Sequence, residues 1–293
     1  MLCDEIIHDK LLELGFNNFK PTQRAIAAAQ KFVLCPDFAA AADGLVDNYR
    51  ELERIAPFCR LPYATTWIEF AQSDRPQFNS AEMYYPEFQS APVRVGFLLQ
   101  AQDTTMARFR AHLLWTLRTP PPMGVISPAN ASLIAMDYDI TKLQKDLADI
   151  VQLQLADFGS ETIALMQATN TLQDFAVLAR SDWAGEVRYL IAVLGLLNAR
   201  NVAQHDFVDN ATYNIKRTKA RQTPLASHTL LKIRSTHKPV QQRGQQTDER
   251  VETRAHFVIG HFKTRRTGLF FWGPHMRGRL RAGFVSKDYQ VEK

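Results

Sequence analysis

The chain has 293 residues and a mass of 33.3 kDa, with 46% hydrophobic and 22% charged residues. That is enough to bury a core of one large domain or two ordinary ones, and it excludes a peptide-like tail or a wholly disordered protein. The net charge of +5 averages two unlike parts: residues 1–200 hold 17 Lys/Arg and 23 Asp/Glu, and residues 201–293 hold 18 and 7. A basic surplus confined to the last third points to an acidic partner, nucleic acid first, rather than to a uniformly basic enzyme.

No stretch approaches the roughly 18 consecutive apolar residues of a membrane helix; the best, Tyr189 to Leu197, is half that length. The start carries Asp4, Glu5 and Asp9, the wrong charges for a signal peptide. The expectation is a soluble, cytoplasmic protein with no membrane contact. Cys3, Cys35 and Cys59 are odd in number and irregularly spaced, which suits free thiols in a reducing compartment better than a disulfide frame or a zinc site.

In chain order, the first 56 residues read as helical. Ile6, Ile7, Leu11, Leu12 and Leu14 form one apolar face stopped by Gly15. Pro21 suits the first turn of a second helix continuing through the Ala-rich run Ala25 to Phe32, and a third spans roughly Leu45 to Ile55. From Leu61 to Asp137 the period becomes two. Thr65 to Phe70 and Val93 to Leu99 predict strands, and Met106 to Leu117 places Phe109, Ala111, Leu113 and Trp115 on one face and Arg108, Arg110, His112 and Leu114 on the other. His112 reads as an ordinary exposed sheet residue. Two shorter strands, Met123 to Ile126 and Ser132 to Met136, complete an antiparallel meander after Pro120-Pro121-Pro122.

Residues 140–200 read as helix again, through a stripe of Leu143, Leu147, Ile150, Leu153, Leu155 and Phe158, then Leu172, Phe175, Leu178 and Trp183. The predicted class is α+β: an antiparallel sheet flanked by N-terminal and central helices, with a small C-terminal three-stranded basic β module. The domain reading is an α+β body at 1–200, a basic connecting segment with a polar linker at 201–254, and the basic aromatic module at 255–293. Within the connector, Lys216, Arg217, Lys219 and Arg221 form a basic cluster, and Thr229 to Arg234 predicts a strand. Thr236 to Arg254 has too few apolar residues to offset its ordering entropy.

The last 39 residues carry the sharpest signal. His256 to Lys263 predicts a strand, Thr264 to Gly268 a turn, Leu269 to Trp272 its partner, and Gly283 to Val291 a third strand. Six of the eight histidines lie after residue 200, among Phe257, Phe262, Phe270, Phe271, Trp272, Phe284 and Tyr289. Aromatic faces for stacking, interleaved with cations for phosphates, are what a single-stranded nucleic-acid surface needs. The candidate contacts are Lys263, Arg265, Arg266, Trp272, His275, Arg277, Arg279 and Arg281. The competing reading is an aromatic core under a solvated basic face.

A metal-free ribonuclease would use two histidines as general base and acid, with an arginine for the phosphorane charge; His261, His275 and Arg277 are the candidates. His256 and His261 are five apart and point to opposite faces of a regular strand, and no spaced ligand set surrounds them, so neither metal nor cofactor is expected. The sequence lacks Gly-x4-Gly-Lys-Ser/Thr, Gly-x-Gly-x-x-Gly, Gly-x-Ser-x-Gly and His-Glu-x-x-His. ATPase, dinucleotide oxidoreductase, standard hydrolase and zinc protease readings therefore lose their support.

The pattern His256-Phe-Val-Ile-Gly260-His261-Phe262-Lys263, Gly268, Pro274-His275-Met-Arg277-Gly278 and Lys287-Asp288-Tyr289-Gln-Val291 resembles the terminal module of phage and mobile-element proteins grouped with a type V-A anti-CRISPR family. The segments Leu61 to Phe70 and Val93 to Leu99 resemble that family's sheet. The resemblance implies an inhibitor of a bacterial defence system acting in the host cytoplasm. Its body would bind the nascent N-terminal peptide of a defence effector, and its basic module would contact RNA or the ribosome, leading to loss of the effector's messenger RNA. A non-catalytic RNA-binding regulator and the metal-free ribonuclease are the alternatives.

Overall fold

A computed structural model describes residues 1–7, 19–76, 94–118, 126–131, 134–142, 151–155, 168, 186–234, 254–258, 260–273, 275–277 and 279–285. In chain order its elements are α1 (Leu2–Ile7), α2 (Phe19–Ala28), β1 (Gln30–Leu34), α3 (Pro36–Asp43), α4 (Tyr49–Ile55), β2 (Thr65–Ala71), β3 (Arg94–Ala101) and β4 (Arg108–Arg118). There follow β5 (Ile126–Ala131), β6 (Ile134–Asp139), β7 (Val151–Leu155), α5 (186–198), β8 (Ala203–Val208), α6 (Ala211–Lys219) and β9 (His228–Ile233). The C-terminal strands are β10 (Arg254–Val258), β11 (His261–Arg265), β12 (Gly268–Trp272), β13 (His275–Arg277) and β14 (Arg279–Val285).

The class is α+β, but the large sheet is mixed rather than antiparallel. Its order is β7-β6-β4-β3-β2-β1-β9-β8, with β5 also paired to β4. The pairs β2/β3, β3/β4, β4/β6 and β6/β7 are antiparallel, as an antiparallel meander requires. β1 runs parallel to both β2 and β9. Parallel neighbours need a crossover, and the chain supplies one from β1 to β2 through α3 and α4.

Two sequence expectations give way to strands. The helix expected through Phe32 ends at Ala28, and Gln30–Leu34 becomes β1: its Phe32 and Leu34 alternate inward, and cross-strand burial outweighs the helix propensity of the alanines before them. Likewise Leu153 and Leu155 of the expected helical stripe lie in β7; a spacing of two fits a strand as well as a stripe. The stripe's Leu143, Leu147, Ile150 and Phe158 lie outside the described residues, as do Leu11, Leu12, Leu14, Leu172, Phe175, Leu178, Trp183 and residues 235–253. Of the strand expected at 123–126 only Ile126 is described, and it opens β5 (Ile126–Ala131); the strand expected at 132–136 overlaps β6 (Ile134–Asp139) at Ile134–Met136.

The alternation in β2 to β4 sets two cores. Ile68, Phe70, Val95, Phe97, Leu99, Phe109, Ala111 and Leu113 face the larger one, together with Phe32, Leu34 and Leu231. Helix α5 is its centre: Tyr189 to Leu194 and Leu196 are fully buried. A helix apolar all round must be surrounded, so the best membrane candidate of the sequence is a core helix. No helix among the described residues is long and apolar enough to cross a membrane. On the other face Trp67, Leu98 and Leu114 pack with Leu2, Cys3, Ile6 and Ile26 of α1 and α2. His112 lies on that covered face and is buried, not exposed.

Close approach there depends on Gly96, where a Cβ would stand 2.1 Å from the Trp67 ring. Beside it the buried Glu69 carboxylate accepts hydrogen bonds from the Leu2 and Cys3 backbone N–H groups at 2.8 and 3.2 Å, from Trp67 Nε1 at 3.1 Å and from Arg94 Nε at 2.7 Å. A charge with four donors is a tolerable burial. Cys59 is wholly buried, which pushes its thiol up to about 12, and burial also raises Cys3 and Cys35. All three cysteines are free thiols.

The larger core encloses an ionic group. Arg75, 1% exposed, donates from Nη1 to both Glu186 oxygens at 2.7 and 2.9 Å and from Nε to Asp43 Oδ1 at 3.4 Å. Its guanidinium lies 3.9 Å from the centre of the Tyr189 ring, joining α3, the segment after β2, and α5. Arg75→Met keeps volume and removes the charge, leaving two carboxylates in the core. The expected loss is about 3–5 kcal/mol, read as a lower urea midpoint. A midpoint within error of the parent would show that the carboxylates do not need the cation.

Candidate nucleic-acid interface

The C-terminal strands divide into two sheets. The strand expected from His256 to Lys263 is broken, with β10 ending at Val258 and β11 starting at His261. β11 and β12 form a two-stranded hairpin, while β13, β10 and β14 form a separate three-stranded sheet. The third strand, expected at 283–291, is Arg279–Val285, and residues 286–293 lie outside the described ones.

The hairpin register pairs His261 with Trp272, Phe262 with Phe271, Lys263 with Phe270, and Arg265 with Gly268 across the two-residue loop Arg266-Thr267. Side chains alternate across a strand. One face therefore carries Phe262, Leu269 and Phe271, all buried and all part of the large core. The opposite face carries His261, Lys263, Arg265, Phe270 and Trp272. The aromatic-core reading describes the first face, and the second carries the basic residues together with two further rings.

A lone two-stranded hairpin is marginal in water, and here the body holds both of its edges. On the β11 edge, Glu51 of α4 accepts from the Phe262 N–H and Arg54 donates to the Phe262 carbonyl; Arg54 and Glu51 are themselves paired at 2.6 Å. On the β12 edge, the Asn201 amide both accepts from the Phe271 N–H at 2.9 Å and donates to the Phe271 carbonyl at 2.7 Å. The Arg200 N–H adds a bond to the Leu269 carbonyl at 3.0 Å. Edge groups that would otherwise face water or another chain are thereby satisfied.

The outer face is a stack of cations and rings. Lys263 Nζ lies 4.8 Å from the Trp272 ring centre, and the Arg265 guanidinium lies 5.2 Å from Trp272 and 5.5 Å from Phe270. His261 stacks on Trp272 with centroids 6.4 Å apart and an 18° interplanar angle. Cation–π contact holds a guanidinium flat while its N–H edge stays available to an anion. Gly268 has φ +129°, and a Cβ there would stand 3.0 Å from Arg200 Nε, so glycine serves both the turn and the approach of a further cation.

The structure thus brings Lys263, Arg265 and Trp272 together, with Arg266 exposed in the adjoining loop. His275 and Arg277 are exposed two residues apart on β13, where His275 Nδ1 lies 3.0 Å from the Gly273 carbonyl. Strand β14 contains Arg279 and Arg281, whose side chains lie outside the described ones. His261 belongs to the hairpin and His275 to the three-stranded sheet, so two of the three ribonuclease candidates stand on different sheets. Among the described residues no cluster of three or more His, Cys, Asp or Glu is placed to hold a metal. Phe270, His261 and Arg200 are not among the expected nucleic-acid contacts; period-two alternation from Lys263 leads to His261 and from Trp272 to Phe270, whereas Arg200 is distant in sequence. No family model, curated protein or solved structure matches the chain.

Asn201→Ala leaves two backbone groups of Phe271 without their partner, an expected cost of about 1–3 kcal/mol. Hydrogen exchange across 261–272 should accelerate more than exchange in α5. Unchanged protection of the Phe271 amide would show that the clamp does not hold the hairpin.

Proposed function

We propose that the protein binds single-stranded nucleic acid, RNA in the first instance, on the outer face of the β11–β12 hairpin, without turnover. The observation that carries this reading is the segregation of the hairpin: Phe262, Leu269 and Phe271 on the inner face lie in the core, while Lys263, Arg265 and the half-exposed rings of Phe270 and Trp272 share the outer face. Bases stack on the faces of the half-exposed Phe270 and Trp272 rings, and phosphates meet the cations beside them. The exposed Arg266, His275 and Arg277 add further donors, and the proposal includes Arg279 and Arg281 of β14 by their sequence. The +11 surplus of residues 201–293 supplies long-range attraction.

The resemblance adds the partners: the messenger of a bacterial defence effector as the RNA, and the effector's nascent N-terminal peptide held by the acidic α+β body. The motifs in the sequence support that reading, and it makes RNA rather than DNA the first ligand to test.

Labelled single-stranded RNA titrated into Lys263→Gln/Arg265→Gln protein should bind more weakly, with a salt slope shallower by about 1.4, from about 0.7 for each phosphate no longer neutralised. Trp272→Ala should weaken binding by about 1–3 kcal/mol at all salt concentrations. The RNA should be recovered intact. Equal binding by both variants would remove the hairpin face as the site, and RNA cleavage abolished in His261→Ala and His275→Ala would establish the ribonuclease instead.

A further inference from the structure

Helix α6 has no buried residue. Tyr213 and Ile215 are 53% and 59% exposed, and Phe207, just before it on β8, is 65% exposed. Burial therefore does not explain why this segment is helical. Polar clamps hold it instead. The Asn214 side chain donates to the Leu225 carbonyl at 2.7 Å and accepts from the Leu225 N–H at 2.8 Å. Asn210 Nδ2 donates to the Ala226 carbonyl at 2.8 Å, and Arg217 Nε to the Thr223 carbonyl at 2.7 Å. The loop is itself fixed by the Ala226 N–H, which donates to Asp4 Oδ1 at 2.8 Å.

At 100° per residue, Asn214 faces the loop, while Lys216 and Lys219 project from the opposite side. Tyr213 lies on a flank with the Arg217 guanidinium 5.8 Å from its ring centre. From Ala211 to Arg221 there are four cations and no acidic residue. None of the four forms an ion pair among the described residues, and the nearby Asp206 is taken by Lys232 at 2.7 Å. Cations at a helix C-terminus complement its dipole, but that effect gives no reason to leave a tyrosine, an isoleucine and a phenylalanine in water.

We infer that α6, with Phe207, is a second phosphate-binding surface for the same single-stranded RNA, the strand running between it and the hairpin. This rests on the hairpin reading above. Charge complementarity selects a polyanion, and the exposed rings select one with bases to stack. The two surfaces flank one strand: the hairpin is anchored at Arg200 and Asn201 immediately before β8, and α6 begins three residues after β8 ends. Six residues of strand separate them by roughly 20 Å, a span for several extended nucleotides within the site sizes of single-strand binders.

The test uses full-length protein, an oligouridine of about 5 nucleotides and one of about 20. Lys216→Gln/Lys219→Gln/Arg221→Gln should leave circular dichroism unchanged, because the three side chains are exposed. It should weaken the 20-mer about tenfold or more and make its salt slope shallower by about 2, while the 5-mer, held by the hairpin, is unaffected. Lys263→Gln/Arg265→Gln should weaken both. If the α6 variant binds the 20-mer normally while the hairpin variant does not, the inference fails and the hairpin reading survives; if neither variant loses affinity, both fail. Equal loss for the 5-mer would mean a general charge effect and overturn the two-surface path. Displacement of the 20-mer by polyglutamate at equal affinity would overturn RNA as the occupant in favour of an acidic peptide.

Discussion

The contact on which the rest depends is Phe262 against α4 and α5. At Gly195 of α5 a Cβ would stand 2.4 Å from Ile55 Cδ1 and 3.2 Å from Phe262 Cζ, so the missing side chain is what lets α4 and the hairpin reach the same helix. Phe262 brings Leu269 and Phe271 with it into the core. Its own backbone N–H and carbonyl are taken by Glu51 and Arg54. A ribbon too small to stand alone becomes part of a core of ordinary size.

That arrangement couples the acidic and basic parts of the chain. Glu51, Arg54 and Asn201 lie far from β11 and β12 in sequence, and their polar groups are used on the hairpin's backbone rather than on its cations. Among the described residues, the contacts of Lys263 and Arg265 on the outer face are with the rings of Phe270 and Trp272. The buried Arg75 group works in the opposite sense, because there both carboxylates are consumed by one guanidinium. Its role is to fix α3 and α5 relative to the sheet, which in turn sets where Ile55 and Gly195 meet Phe262.

What the sequence made legible was local. Alternation named both faces of β4, the charge asymmetry pointed to the C-terminal third, and the hairpin turn was expected at Thr264 to Gly268, although Thr264 and Arg265 belong to β11 and the loop is only Arg266-Thr267. The parallel strand β1 was hidden because its partners are at Thr66 to Glu69 and Thr229 to Leu231, and no local pattern announces pairing across 200 residues. Leu153 and Leu155 satisfied a strand and a helical stripe equally. His112 looked exposed because period two says which residues share a face, and whether α1 and α2 cover that face is a tertiary matter. The candidate contacts Lys263, Arg265 and Trp272 were readable from composition; the Asn201 clamp that positions them was not, since a single asparagine carries no spacing signal.

The two basic surfaces are held by different physics. The hairpin is rigid because three apolar side chains on its inner face are buried, so its outer face cannot move without unpacking the core. Helix α6 is held by amide and guanidinium bonds to a loop, a weaker and more solvent-dependent attachment. Strand β8, paired along its length to β9, separates them by a fixed number of residues. On the proposed path, a single strand meeting both surfaces would lose less affinity to protein reordering at the hairpin than at α6, so the hairpin would be the anchor and the helix its extension.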